Sequence, residues 1–468
     1  MAEYRSRISR FFPLLKEALK GSEQSFTTGS INRAIFLLSV PMILEMSMES
    51  LFAVVDAFFV GKLGKEALAT VGLTEAVLTL VYSLGFGLSM AATALVARRT
   101  GEGDADGAGH TAAQALYVSL GLSLAMALTG AIWAEDLLVI MGQSPEVAAR
   151  NYHFPQIIFG TNAVIVLLFL INGLFRGAGD AAIAMRSLWL ANGLNIILCP
   201  LLINGWGPVP AFGLKGAALA TSIGRGIGVI YQVVQLVRGR GVLRILRKHL
   251  RPDLPLMGRF ARQSFLATAQ LLINSISWLA LMRIVARFGE DAVAGYTIGI
   301  RIIVFTLLPA LGLSNAAATL VGQNLGAGQP DRAERSAWRA AFGNMVFLGT
   351  VAIIFFILAR PIVGLFTQDP AVTRYGIESL RYISLGYIFY AYGMVIISAF
   401  NGAGDSRTPT IINLFGFWGF QIPLAYALAI VLGWGPKGVF SAVAIAESAM
   451  AVVAIYLFRK GRWKLVNV

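Results

Sequence analysis

Three carboxylates share one face of an otherwise apolar stretch: Glu45, Glu49 and Asp56 in PMILEMSMESLFAVVDAFFVG, residues 41–61. At about 100° per residue, Glu49 lies about 40° and Asp56 about 20° around a helix from Glu45, in a stripe about 16 Å long. An acid at the bilayer centre costs about 2.5–3.5 kcal/mol on insertion scales, so three in one span point to a wet or polar interior. The chemistry open to such a stripe is proton exchange or cation coordination. The alternative is that Glu45 and Glu49 pair with intramembrane arginines such as Arg225, or lie in water at a helix end.

The elements that must position these acids are membrane helices. The 468-residue chain is 57% hydrophobic and 13% charged, with a mean hydropathy of +0.71; a soluble domain is about 25% charged. Twelve apolar runs, from 34–60 through 438–458, are each near the length that crosses a bilayer. The net charge of +14 does not indicate nucleic acid, because the basic residues fall mostly in loops between the runs. With both termini cytoplasmic, about 25 of the 38 basic residues lie inside and about 8 outside, as the positive-inside rule requires. The opening residues carry charges throughout and do not read as a signal peptide; a basic amphipathic helix around Phe11–Leu19 or a loose tail fits them.

Enzyme classes find little support. Cys199 is the single cysteine, and His110, His153 and His249 are far apart in the sequence, so no metal site and no cofactor is expected. No GxxxxGK[ST] loop offers a site for ATP.

The chain is also duplicated. GLSMAATALVARRTGEGDADGA (87–108) matches GLSNAAATLVGQNLGAGQPDRA (312–333) at half of its positions, and FRGAGD (175–180) matches FNGAGD (400–405), both at an offset of 225. The expectation is an all-α membrane protein of twelve transmembrane helices in two pseudo-symmetric six-helix bundles. Its parts are a cytoplasmic segment 1–33, a first lobe 34–237, a basic linker 238–260, a second lobe 261–458 and a tail 459–468. Parallel repeats of this kind suit alternating access to a cavity between the lobes.

VVDAFFVGKLG in the first run, the two GAGD loops, and VGQNLGAGQPDRA after the eighth run together resemble the multidrug and toxic compound extrusion (MATE) transporters, over residues 30–460. The resemblance implies a secondary exporter of organic cations or amphipathic drugs by antiport with H⁺ or Na⁺. It also assigns the Asp of the VD motif, Asp56, to a cation-coupling site in the first lobe.

NGLNIILCP (192–200) resembles the family's fifth-helix motif, with Asn195 and Pro200 in place and Cys199 where the family has Asp. Thr221 matches a further ligand position. A thiol is a poor ligand for a hard cation, and burial favours a protonated carboxylate, so H⁺ is preferred over Na⁺. Glu45 or Glu49 would compensate for the carboxylate lost at Cys199, and Glu75 would join the path by facing Glu45. At the repeat offset Glu45 becomes Gln270, Glu49 becomes Asn274 and Asp56 becomes Leu281, so the stripe is charged in the first lobe alone.

Candidate cavity residues are Phe52, Tyr82, Trp189, Gln270, Asn274 and Glu447, with Tyr387 and Trp418 as further aromatics; Glu447 would anchor a cation or pair with Arg283 or Arg301. Asp180 and Asp405 of the GAGD loops would cap the helices that follow. The expected partners are a small organic cation or amphipathic substrate and the lipid bilayer, with no nucleic acid, for a monomer in the bacterial inner membrane. The alternative is a flippase of lipid-linked or polysaccharide precursors with the same architecture.

Overall fold

A span needs every backbone N–H and C=O paired within itself, which restricts long apolar runs to helix. The computed structural model describes residues 12–21, 26–238 and 243–466, and these form helices, turns and one isolated bridge between Trp206 and Val209. The rest of the N-terminal segment, residues 239–242 of the basic linker and the last two residues lie outside the described residues. A short helix over 12–20 comes first.

The spans follow in chain order. The first six are α1 (Ile31–Gly61), α2 (Lys65–Gly101), α3 (Ala105–Ile132), α4 (His153–Gly160 with Asn162–Gly177), α5 (Ala181–Asn204) and α6 (Leu214–Arg238). The second six are α7 (Leu254–Phe288), α8 (Glu290–Gly326), α9 (Pro330–Gly364), α10 (Pro370–Ser384 with Tyr387–Gly402), α11 (Arg407–Val431) and α12 (Pro436–Arg459). Helices α4 and α10 are each bent pairs, by 40° and 59°; with each pair taken as one span the described residues hold twelve. At the α4 break, the Thr161 hydroxyl donates to the Ile157 carbonyl at 2.7 Å, a back-bond that bends helices. Residues such as Phe342, Ile353, Phe356 and Ile357 leave α9 with an exposed apolar face suited to lipid.

Two units divide the chain: Met1–Ser25 with Leu44–Thr268, and Phe26–Ile43 with Ala269–Val468. The divisions fall inside α1 and α7, after residues 43 and 268, which differ by the repeat offset of 225. The duplication is visible in the packing of each unit. In the first, a Cβ at Gly177 would strike the Thr93 backbone; in the second, a Cβ at Gly402 would strike the backbone of Ala318, the residue equivalent to Thr93. Gly87 against Thr268 and Gly312 against Ile43 form a second equivalent pair, one in each unit. Small residues let membrane helices approach closely enough for backbone contact. Gly402→Val is therefore expected to cost at least about 1–3 kcal/mol by overpacking and to lower the melting temperature in detergent. Gly349→Ala, at a position with open space beyond it, should leave that temperature unchanged.

Two stretches outside the spans are held firmly. Gln114 of α3 donates to the carbonyls of His249 and Arg251 at 3.2 and 2.9 Å and accepts from the Asp253 amide at 3.0 Å, fixing the described end of the linker. The residues after α12, read from sequence as a tail, bring Trp463 into the core, stacked on Phe458 at 4.4 Å and donating to the Phe458 carbonyl.

Asp253 ends the linker and caps α7, accepting from the Leu256 amide at 3.0 Å. That amide, followed by His110, holds its carboxyl below the usual carboxylate range. A lowered folded value means the cap is fully present above about pH 4 and is lost as pH falls through the depressed value. Protection of the Leu254 and Leu256 amides, measured against their intrinsic exchange rates, should be lost only on strong acidification, and in Asp253→Asn that protection should no longer depend on pH.

Candidate functional site

The α1 stripe points into the first unit, and each acid meets a different partner. Glu45 is fully buried; its Oε1 accepts from Arg176 Nη1 at 3.0 Å and from Asn172 Nδ2 at 2.9 Å, both on α4. Arg176 also donates to Ser89 of α2 at 2.6 Å. Asn172 Oδ1 accepts from Ser187 of α5 at 3.0 Å and from Gln232 of α6, extending the polar cluster across four helices packed on α1. An ion pair in low dielectric needs such extra hydrogen bonds to offset desolvation.

One turn further on, Glu49 accepts from Arg225 Nη2 of α6 at 2.8 Å. The Arg225 guanidinium is 1% exposed and sits among aromatic rings, 4.8 Å from the Phe52 centroid, 5.6 Å from Tyr82 and 5.7 Å from Phe169. Its Nη2 also donates to the Tyr82 hydroxyl at 3.4 Å. Cation–π contact of this kind strengthens as water is removed. Phe52 and Tyr82 therefore form the walls of an arginine cage.

Asp56 differs from both. Of the three acids it alone has no ion pair within 4 Å among the described residues. Its Oδ1 lies 3.9 Å from the Cys199 thiol of α5, and Arg225 and Glu75 act on it electrostatically from further off. Asp56 is partly exposed, whereas Cys199 is fully buried. On the same α5 face Asn195 donates to Thr221 of α6 at 3.1 Å, with its own Oδ1 unsatisfied among the described residues. The i, i+4 spacing of Asn195 and Cys199 thus sets the thiol beside Asp56 and, one turn away on the same face of α5, an amide bonded to a hydroxyl of α6.

Several expectations change. Glu45 and Glu49 do not stand in for a carboxylate beside Cys199, because each is engaged by an arginine one or more turns away. Glu75 is exposed on α2 and is coupled to Asp56 rather than facing Glu45. Arg176, which the sequence reading did not single out, lies in the last turn of α4 and is 3% exposed. Asp405 caps α11 by accepting from the Thr408 amide at 3.1 Å, whereas the Asp180 side chain makes no capping bond.

The proposed cavity residues are distributed over both units. Trp189 is 45% exposed and donates to the Leu44 carbonyl, in the first unit with Phe52 and Tyr82. In the second, Asn274 accepts from the Trp278 indole, and Trp418 donates to the Ile273 carbonyl. Gln270 and Asn401 exchange two amide hydrogen bonds at 3.1 and 3.2 Å. These are the repeat equivalents of Glu45 and Arg176, so a neutral amide pair occupies the place of the ion pair. The paired change, Glu to Gln with Arg to Asn at one offset, is the sequence signal that could have found Arg176. Glu447 pairs with neither Arg283 nor Arg301, both of which are exposed, and lines a separate pocket.

Comparison with known proteins places this geometry among transporters. The MatE family model matches residues 41–201 and 266–427, two stretches whose starts are also 225 apart. The chain is 25% identical over 440 residues to a probable multidrug resistance protein, YoeA, of Bacillus subtilis, covering 93% of this chain and 95% of that one. It is 28% identical over 440 residues to an FAD transporter of Shewanella oneidensis, covering 92% and 95%. A solved structure of a MOP superfamily transporter from Pyrococcus furiosus superposes with a TM-score of 0.86 at 26% identity, covering 94% of this chain and 98% of that one.

Proposed function

The chain belongs to the MatE family of membrane transporters, and from that premise we propose that it is a secondary exporter of organic cations or amphipathic drugs, driven by inward H⁺ at Asp56. The observation that carries this reading is the charge balance of the α1 stripe. Three acids meet two arginines in the first unit, and the uncompensated negative charge rests on Asp56. One bound cation neutralises it. Its side-chain hydrogen-bond partner among the described residues is a thiol sulfur at 3.9 Å, a soft and weak ligand for Na⁺, while a proton needs no coordination shell.

Binding a proton at Asp56 removes its attraction to Arg225 and frees the end of α1 to change conformation, the step that would couple the ion to alternating access. The relatives' names span multidrug resistance and FAD transport. An acidic interior favours cationic or neutral amphipathic cargo over an anion such as FAD, and a flippase of anionic lipid-linked precursors is disfavoured on the same ground. The positive-inside rule places both termini in the cytoplasm of a bacterial inner-membrane protein, which acts as a monomer.

Proteoliposomes with an imposed ΔpH or ΔNa⁺ and a fluorescent cation test the reading. A pH gradient alone should drive accumulation. Transport under a sodium gradient alone would transfer the coupling role to Na⁺, and transport under neither would overturn the exporter reading.

A further inference from the structure

In the second unit a groove of about 580 Å³ runs between α9 and the bend of α10. Met345, Gly349, Ile353 and Phe356 of α9 form one wall, and Leu385 and Ile388 of α10 the other. Ile353 is 63% exposed and Leu385 65%, so the groove opens at the outside of the helix bundle. The two hydroxyls among its lining residues are spent on their own helices. Thr350 donates to the Val346 carbonyl at 2.8 Å, and Ser384 to the Arg381 carbonyl at 3.1 Å. The lining therefore suits hydrocarbon and offers no side-chain donor to a polar solute.

Position along the span restricts what can fill this groove. The twenty residues 340–359, between Arg339 and Arg360, carry no charge; at about 1.5 Å per residue they span about 30 Å, the thickness of the hydrocarbon core. The groove follows α9 from Met345 to Ile357, a length of about 18 Å. It starts about one turn short of the middle of the uncharged run and ends within one turn of Arg360. One leaflet of hydrocarbon is about 15 Å deep, so the groove matches a single acyl chain.

The end nearest Arg360 is cationic. Arg381 of α10 donates from Nε to the Phe356 carbonyl at 3.1 Å, and its guanidinium stands 5.4 Å from the Phe356 ring centroid. Arg360 follows Phe356 by four positions, on the same face of α9. Neither arginine has a carboxylate within 4 Å among the described residues; Glu378, three positions before Arg381, is paired with Arg374 and Lys437. Two uncompensated cations at the edge of the hydrocarbon attract an anionic headgroup.

We propose that the groove binds one anionic phospholipid, with an acyl chain laid along α9 against the α10 bend and the phosphate held by Arg381 and Arg360. A guanidinium presents parallel N–H groups that match two phosphate oxygens. The Phe356 carbonyl holds Arg381 at the mouth of the groove through Nε and leaves its terminal nitrogens for that contact. The site is independent of the cargo and of the coupling ion.

The test is native mass spectrometry of the delipidated full-length protein in detergent, titrated with dipalmitoyl phosphatidylglycerol. Wild type should retain one tightly held lipid. Arg381→Gln should weaken that binding at least about 10-fold. Gly349→Leu is the independent variant: it places in the groove wall the residue found at the repeat equivalent, Leu124, where no atom stands in the way of a side chain. It should weaken binding several-fold by filling the groove, while keeping the wild-type melting temperature. Wild-type affinity in both variants would overturn the site, as would a graded uptake of many lipids with none held tightly. Equally tight binding of dihexanoyl phosphatidylglycerol, or displacement of the lipid by inorganic phosphate, would reveal an anion site without the groove and overturn the phospholipid. Equal affinity for dipalmitoyl phosphatidylcholine would overturn the preference for an anionic headgroup.

Discussion

Asp56→Asn protein should fold, insert and melt like wild type, yet accumulate no fluorescent cation in proteoliposomes under an inward pH gradient. The substitution keeps the shape and the contact with the Cys199 thiol at 3.9 Å, but removes the one stripe charge that lacks an ion-paired arginine. Without that charge the protein cannot bind and release a proton at the site. The expected loss of gradient-driven rate is about 100-fold or more, comparable to losing a positioned acid–base group. Stability should change little, because no salt bridge is broken. A proton-release measurement on substrate addition separates the two roles: wild type should release a proton and the variant none. If Asp56→Asn transported at the wild-type rate, the coupling assignment would fall.

A second substitution should act on stability instead. Glu45→Gln is expected to cost about 3–5 kcal/mol, because removing one member of a buried pair strands the other charge in low dielectric. Glu45 is fully buried and the Arg176 side chain is 4% exposed, so water does not screen the change. The repeat indicates the remedy. Gln270 and Asn401 already form the neutral version of this contact in the second unit. Glu45→Gln combined with Arg176→Asn should therefore recover most of the lost stability, giving a coupling energy of several kcal/mol in a double-mutant cycle of thermal unfolding. Additive losses would show that the pair does not act as a unit. Transport by the double variant should persist, since the ion pair holds α1 against α4 and does not carry the coupling charge.

The stripe itself was legible in the sequence, since helical periodicity alone puts Glu45, Glu49 and Asp56 on one face. What each acid does was not, because the partners come from α4, α5 and α6, more than 120 residues away. Arg225 was an open alternative as a partner of Glu49. Arg176 went unnoticed beside the GAGD loop, although the helix runs on through Gly177 before the turn begins. Glu75 has the right residue type and a wrong expected neighbour, because which acid it meets depends on how α2 packs against α1, which no single-helix pattern contains.

By itself the sequence determined the all-helical membrane class, the number of spans, the offset of 225 and the confinement of the charged stripe to one half. These follow from local hydropathy and from self-similarity along the chain, neither of which needs a partner helix. Tertiary structure alone decided that two of the three acids are neutralised, that Asp56 is left beside a thiol, and that Glu447 meets neither Arg283 nor Arg301. The reason is electrostatic: in a low-dielectric interior the state of a charge depends on what stands within a few ångströms of it, and only the packing of distant helices sets that distance.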